Sequence, residues 1–182
     1  MTNNKNSTKV VTGIVRLSYA HVWEPASING GEPKYSCSVI IPKSDTETVR
    51  KINAAIDAAI REGAHKFGGK IPPKGALKLP LRDGDLERDD DAYKNSWFLN
   101  ANGKNAPEIV DQFVQPILDR NEVYSGCYAR VSLSFFAYNT SGNKGVACGL
   151  GNIQKIRDGE PLGGHSRAAD DFQTMEDADF LN

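Results

Sequence analysis

Twelve consecutive residues, Cys127 to Tyr138, alternate in character without a break. Cys127, Ala129, Val131, Leu133, Phe135 and Ala137 fall on one side, and Tyr128, Arg130, Ser132, Ser134, Phe136 and Tyr138 on the other. Successive side chains of a strand point to opposite faces, so this period of two predicts a half-buried strand. Asn139 to Gly145 then supplies turn residues, and Val146 to Ile156 resumes an extended run in which Gly149 and Gly151 mark a bulge or tight bend. A long hairpin over 126–156 follows, and any fold of this chain must lay one of its faces on a core. The other face carries three rings and an arginine separated by small hydroxyls. Such a face can stack bases and neutralise phosphate, or it can be covered by a second sheet or a second subunit. The strand alone leaves both open.

The chain has 182 residues, enough for one domain with a real core. It has no long apolar segment, so neither a membrane span nor a signal peptide is expected. Cys37, Cys127 and Cys148 show no CxxC or metal-ligand spacing and sit in strand-like runs, which predicts small core residues in a reducing compartment. Asn-x-Ser/Thr matches at Asn6 and Asn139 carry no weight without a secretion signal. The net charge of -1 hides an asymmetry: five of the 23 acidic residues lie after position 169, where none of the 22 basic ones does. The body is therefore mildly basic and the end strongly acidic.

In chain order, residues 1–9 are expected to be flexible, 10–160 to form the domain, and 161–182 to form a flexible acidic tail. Val10 to Tyr19 reads as a strand with Val11, Val15, Leu17 and Tyr19 on one face, opposite Ile14 and Arg16. A connection with Trp23, Pro25 and the turn Asn29-Gly-Gly31 leads to a second strand, where Tyr35, Cys37, Val39 and Ile41 alternate with Ser36, Ser38 and Ile40. Ser44 and Glu47 have capping-box spacing and open one amphipathic helix, about 44–63, with Ile52, Ile56, Ala59 and Ile60 on its apolar face. From His65 to Arg82, lysines interleaved with Gly and Pro make a cationic segment that can track a phosphate backbone, or serve as an ordinary solvated loop. Asp83 to Asp91 is an acidic loop without EF-hand spacing. Tyr93 to Ala101 reads as a strand with Trp97 and Phe98 on opposite faces, which predicts one ring in the core and the other exposed or at an interface.

No Gly-x-Ser-x-Gly, phosphate-binding glycine loop or His-Glu-x-x-His is present, and His21, His65 and His165 lie apart in loop-like segments. The expectation is no enzyme, no cofactor and no metal. Many short strands, one helix, scattered rings and a basic body fit a mainly β, OB-fold-like five-stranded barrel with long loops. On such a barrel rings stack bases and cations meet phosphate, which nominates Trp23, Trp97, Tyr128, Phe136 and Tyr138 as ring contacts. The cations nominated are Arg16, Lys34, Lys66, Lys70, Lys74, Lys78, Arg82, Lys104, Arg130 and Lys144. Asp170, Asp171, Glu176, Asp177, Asp179 and Phe180 form an acidic tail that can compete with DNA for the cationic groove and dock on partner proteins.

Trp97-Phe-Leu-Asn-Ala101, Glu122-Val-Tyr-Ser-Gly-Cys-Tyr128, Phe136-Ala-Tyr138, Gly142-Asn-Lys-Gly-Val-Ala147, Gly149-Leu150, Gln154 and Asp158-Gly-Glu160 carry a resemblance over nearly the whole chain. With these motifs it resembles a family of phage-encoded single-stranded-DNA-binding proteins, once a domain of unknown function, similar to the replication proteins of short-tailed coliphages. The resemblance implies an OB-fold binder without strong sequence preference, acting in phage replication and recombination in the cytoplasm of the bacterial host, often as a homodimer. It also implies that the tail contacts polymerase, helicase or primase. Phe180 matches the family's tail aromatic, but Leu181 and Asn182 follow it here.

Overall fold

The computed structural model describes residues 7–27, 30–162 and 172–175. Its strands are β1 (Lys9–Val11), β2 (Val15–Ala26), β3 (Lys34–Pro42), β4 (Arg82–Asp83), β5 (Ser96–Gly103), β6 (Ile109–Val110), β7 (Tyr128–Thr140) and β8 (Asn143–Arg157). One long helix, α1 (Thr46–Glu62), follows β3, and a single-turn helix, α2 (Gly84–Glu87), follows β4.

Five strands return on themselves: β2 pairs with β3, β3 with β5, β5 with β8, β8 with β7, and β7 with β2. All these pairings are antiparallel except β5 with β8, which is parallel and rests on one register pair, Asn102 opposite Gly149. β1 extends the sheet along β7, β6 along β8, and β4 along β5. The result is a mainly β, OB-like ring with one long helix.

Alternation decides what lies inside the ring. The inward residues of β7, from Ala129 to Ala137, are all buried, and they meet Val15, Leu17, Val39, Ile41, Leu99 and Ala101 in one core. α1 adds Ile52, Ala55, Ile56, Ala59 and Ile60 to that core. Each fully buried leucine or isoleucine contributes about 2 kcal/mol, which outweighs any single surface ion pair here. All three cysteines are buried as expected, and loss of solvation pushes the Cys37 thiol up to about 12.

Four local expectations are corrected. The helix is capped by Asp45, whose carboxylate accepts from the Thr48 N–H, not by Ser44; Glu47 pairs with Arg50 instead. The hairpin turn is only Ser141-Gly142, with φ of +51° and +87°. Two positive φ angles match the twist of a two-residue hairpin, and Gly142 takes the second at no steric cost, so the strands run on into the expected loop. The first strand breaks in two because buried Thr12 bonds β7: its N–H donates to Val131 O and its hydroxyl accepts from Val131 N–H. This bend, and a bulge beyond Ser18 where Tyr19 takes φ +46°, leave Val11 and Tyr19 outside while Val15 and Leu17 stay in the core. Finally, neither Trp97 nor Phe98 is exposed. Phe98 is fully buried in a second small cluster with Ile40 and Tyr93, and Trp97 is half-buried against the main core.

Candidate nucleic-acid interface

Outside the ring, β3 and β5 are covered at one end and open at the other. Ile40 and Phe98, register partners, are capped by Tyr93, whose ring meets Phe98 edge-on at 5.1 Å, and by Leu162. Two residues along, Ser38 faces Asn100, and two further, Ser36 faces Asn102. Tyr93 Oη donates to Ser38 Oγ at 3.0 Å, which marks the edge of the covered part. Beyond it lies an open recess of about 720 Å³, walled by Tyr19 and His21 from β2, by Lys34, and by Arg88 from the loop after α2.

A second recess of about 340 Å³ shares Asn100 and Asn102 with the first and adds Lys78, Arg82, Tyr138 and Ala147. The two join across β5 into one trough. Lys78 reaches it because its backbone crosses β8: Lys78 N–H donates to Lys144 O, and Val146 N–H to Lys78 O. This crossing requires Gly145, where a Cβ would collide with the Lys78 carbonyl and the Tyr138 hydroxyl. At the far side Phe136, about half exposed, stands opposite Ala147 on the same face. The trough follows the outer curve of the ring from β2 through β3 and β5 to β8, with Tyr19 on its first strand and Phe136 on β7 beside its last. Tyr19 and Phe136 thus stand at the two ends of a floor of small side chains.

The walls are cationic and unequally free. Arg82 is held by Glu87, with Nη2 at 2.7 Å from the carboxylate, and lies over the Phe98 ring. Arg88 has no carboxylate partner among the described residues; its guanidinium lies 5.9, 5.3 and 5.1 Å from the ring centres of Tyr19, Tyr93 and Phe98. Ring faces orient a guanidinium without neutralising it, so Arg88 is positioned to meet an anion. Lys43 pins the acidic loop by pairing with Asp83 and Asp85, both at 2.8 Å. These pairs hold Lys43 above the ordinary lysine range, hydrogen bonding from Asp83 first and Asp85 second.

Of the nominated residues, Lys34, Lys78, Arg82 and Tyr138 line the trough, and Phe136 stands beside it. Lys144 supports the Lys78 crossing, and Lys104 lies 3.8 Å from Glu32 at the rim. The others are not brought there. Arg16 donates to the Gly126 and Glu160 carbonyls, and Tyr128 is held between Arg16 and Arg157. Trp23 Nε1 donates to Val123 O, Trp97 packs on the core beneath Lys43, and Arg130 Nε donates to Thr12 O. Lys66 Nζ donates to Ala137 O, Lys74 pairs with Asp57 on α1, and Lys70 lies in the exposed turn between them. The six tail residues from Asp170 to Phe180 fall outside the described residues.

Tyr19, His21, Ser36, Ser38, Arg88, Asn100 and Asn102 were not nominated. The polar pairs carry a legible signal, since Ser36/Ser38 and Asn100/Asn102 each sit two residues apart on strands whose other face is apolar. Tyr19 carries none, because the bulge that turns it outward leaves no mark in the alternation.

Residues 8–181 match the family profile described as the ssDNA-binding protein of Enterobacter phage Enc34. The chain is 32% identical to putative protein p50 of Acyrthosiphon pisum secondary endosymbiont phage 1, over 95% of this chain and 98% of that one. Its fold is similar to the single-stranded DNA-binding protein of bacteriophage Enc34 in complex with ssDNA, with a TM-score of 0.74 and 26% identity over 86% of this chain and 90% of the other. It also shares the fold of gp2.5, a single-stranded DNA-binding protein of bacteriophage T7, at TM-score 0.61 and 16% identity over 91% and 94% of the two chains.

A base entering the trough has Tyr19 to stack on. Tyr19→Ala is therefore expected to weaken oligo-dT binding, read by fluorescence anisotropy, by about 5- to 150-fold. Arg130→Gln, outside the trough, is expected to change it by less than about twofold; equal losses from both would contradict this placement.

Proposed function

The chain belongs to the family of phage single-stranded-DNA-binding proteins described by that of Enterobacter phage Enc34, and we propose that it coats single-stranded DNA without strong sequence preference. The observation that carries this is the trough, with exposed rings at its ends, a guanidinium on its wall that has no carboxylate partner among the described residues, and a floor of small side chains. Rings stack any base, and cations meet the phosphates that every strand has. Nothing in the trough is assigned a chemical step. In this reading residues 10–160 form the binding domain, flanked by 1–9 and by the tail 161–182, and the protein protects and straightens phage DNA during replication and recombination in the host cytoplasm.

The tail is proposed to compete with DNA and, once displaced, to recruit polymerase, helicase or primase. Its starting point supports competition: Leu162 packs on the Ile40–Tyr93–Phe98 cluster, against which Arg88 also lies. A chain leaving from there spans up to about 3.5 Å per residue, so a tail of this length reaches the whole trough.

A homodimer is proposed through a different surface. Val11, Val110, Val114, Val131 and Ile153 line a recess of about 260 Å³, with Arg130 at its rim. Beside it Phe113 and Val114 project into solvent, 79% and 65% exposed. Val114 has φ +60°, unusual for a β-branched residue, in a loop held by the Asp111 carboxylate through the Phe113 and Gln115 N–H groups. An apolar projection beside an apolar recess can serve both halves of a twofold contact. The alternative reading, a structural or assembly protein, would instead use the aromatic hairpin face with Tyr128, Phe136 and Tyr138 as its protein interface. Sedimentation is expected to show a dimer that Phe113→Asp converts to monomer; a wild-type monomer at micromolar concentration would contradict the dimer.

The decisive titration compares labelled oligo-dT with duplex DNA at two salt concentrations, using the full chain and one lacking residues 170–182. Preference for the single strand, affinity falling with salt, and tighter binding without the tail are expected. Equal binding of duplex or no salt dependence would overturn the main reading, and unchanged affinity without the tail would overturn competition.

A further inference from the structure

Asn100 and Asn102 are exposed on the trough floor and line both of its recesses. Neither side-chain amide has a hydrogen-bond partner among the described residues. Amides on β7 and β8 behave differently: Asn139 donates to Lys66 O, Asn152 accepts from Glu108 N–H, and Gln154 donates to Asp111 O and Gln112 O. Those amides fasten loops to the ring, whereas the β5 pair fastens nothing and faces the space a ligand would fill.

Their spacing is informative. Residues two apart on a strand stand about 6.8 Å apart on one face, enough for each amide to address a separate base. Each carboxamide carries one donor and one acceptor side by side, which is the pattern of a base edge and a poor match to a phosphate, which only accepts. Beside them Ser36 and Ser38 are too short to intrude, and Tyr93 Oη already donates to the Ser38 hydroxyl. The cations stand on the walls, not the floor.

We propose that Asn100 and Asn102 form a two-position base reader, with bases turned to the floor and phosphates to the walls, and that it gives the trough a mild preference for adenine. Adenine offers an adjacent donor and acceptor at N6 and N7, the pairing that asparagine makes in a bidentate fashion. It offers the same pattern again at N6 and N1, and both edges are open in a single strand. Guanine's O6 and N7 are both acceptors, so its second-ring edge does not match an amide, and thymine and cytosine, with a single ring, match one only along their Watson–Crick edges; adenine alone adds a matching N7 edge to its Watson–Crick edge. The preference overlies general binding by stacking and charge, and so rests on the single-strand reading.

The test is competition for labelled oligo-dT by unlabelled strands of about 15 nucleotides, one all thymine and one with single adenines spaced among thymines so that they do not stack on each other. The full chain is expected to favour the adenine-bearing strand by about fivefold. Asn100→Ala/Asn102→Ala is expected to abolish that difference while leaving the salt dependence unchanged, because no charge is removed. Equal competition by the two strands in the unmutated chain would overturn the proposal, as would a preference that survives in the double variant. If neither strand competes, the single-strand reading itself fails, which distinguishes the two failures.

Discussion

Closure of the ring depends on one short parallel contact, where Asn102 of β5 lies opposite Gly149 of β8. Every other contact around the ring is antiparallel. This seam sets β3 and β5 beside the hairpin and so joins the two recesses into a single trough. It holds because the hairpin and α1 bury a common core behind it, with Leu133, Phe135 and Cys148 on the hairpin side and Ile52 and Ile56 on the helix. The trough is therefore a consequence of core packing, and its floor is as rigid as the strands that form it.

The chemistry of that trough divides by position. Rings stand at the ends, cations on the walls and neutral amides and hydroxyls on the floor. Stacking is worth more per contact than a solvent-exposed charge pair, so in the proposed function Tyr19 and Phe136 would set affinity at high salt and the walls its salt dependence. Arg88 links the two kinds of contact. Three rings hold it in place, and two of them, Tyr93 and Phe98, belong to the cluster on which Leu162 packs just before the tail. In the proposed competition, DNA and tail would meet at this one guanidinium.

Much of the fold was legible because it obeys local periods. The alternation of Cys127–Tyr138, the strand around Val39 and the helix through Ile52 and Ile56 all appear where their patterns place them. The trough was legible only in part, because it is made by register between strands far apart in sequence. Ser36 gains its meaning from Asn102, and Lys78 from Gly145. Trp23, Trp97 and Tyr128 were nominated for their rings, yet one is tied to a carbonyl, one leans on the core, and one is enclosed by two arginines. Residue type marks what a side chain can do, but packing decides whether it is free to do it.

The central claim is that the strand lies across β2, β3, β5 and β8, between Tyr19 and Phe136. Photocrosslinking of oligonucleotides carrying 5-iodouracil, which joins a base to the aromatic ring it stacks on, tests this most directly, with the joined residue identified by mass spectrometry of the peptides. The account predicts adducts at Tyr19 and Phe136. Adducts concentrated at Trp23, Trp97 or Tyr128 would contradict it.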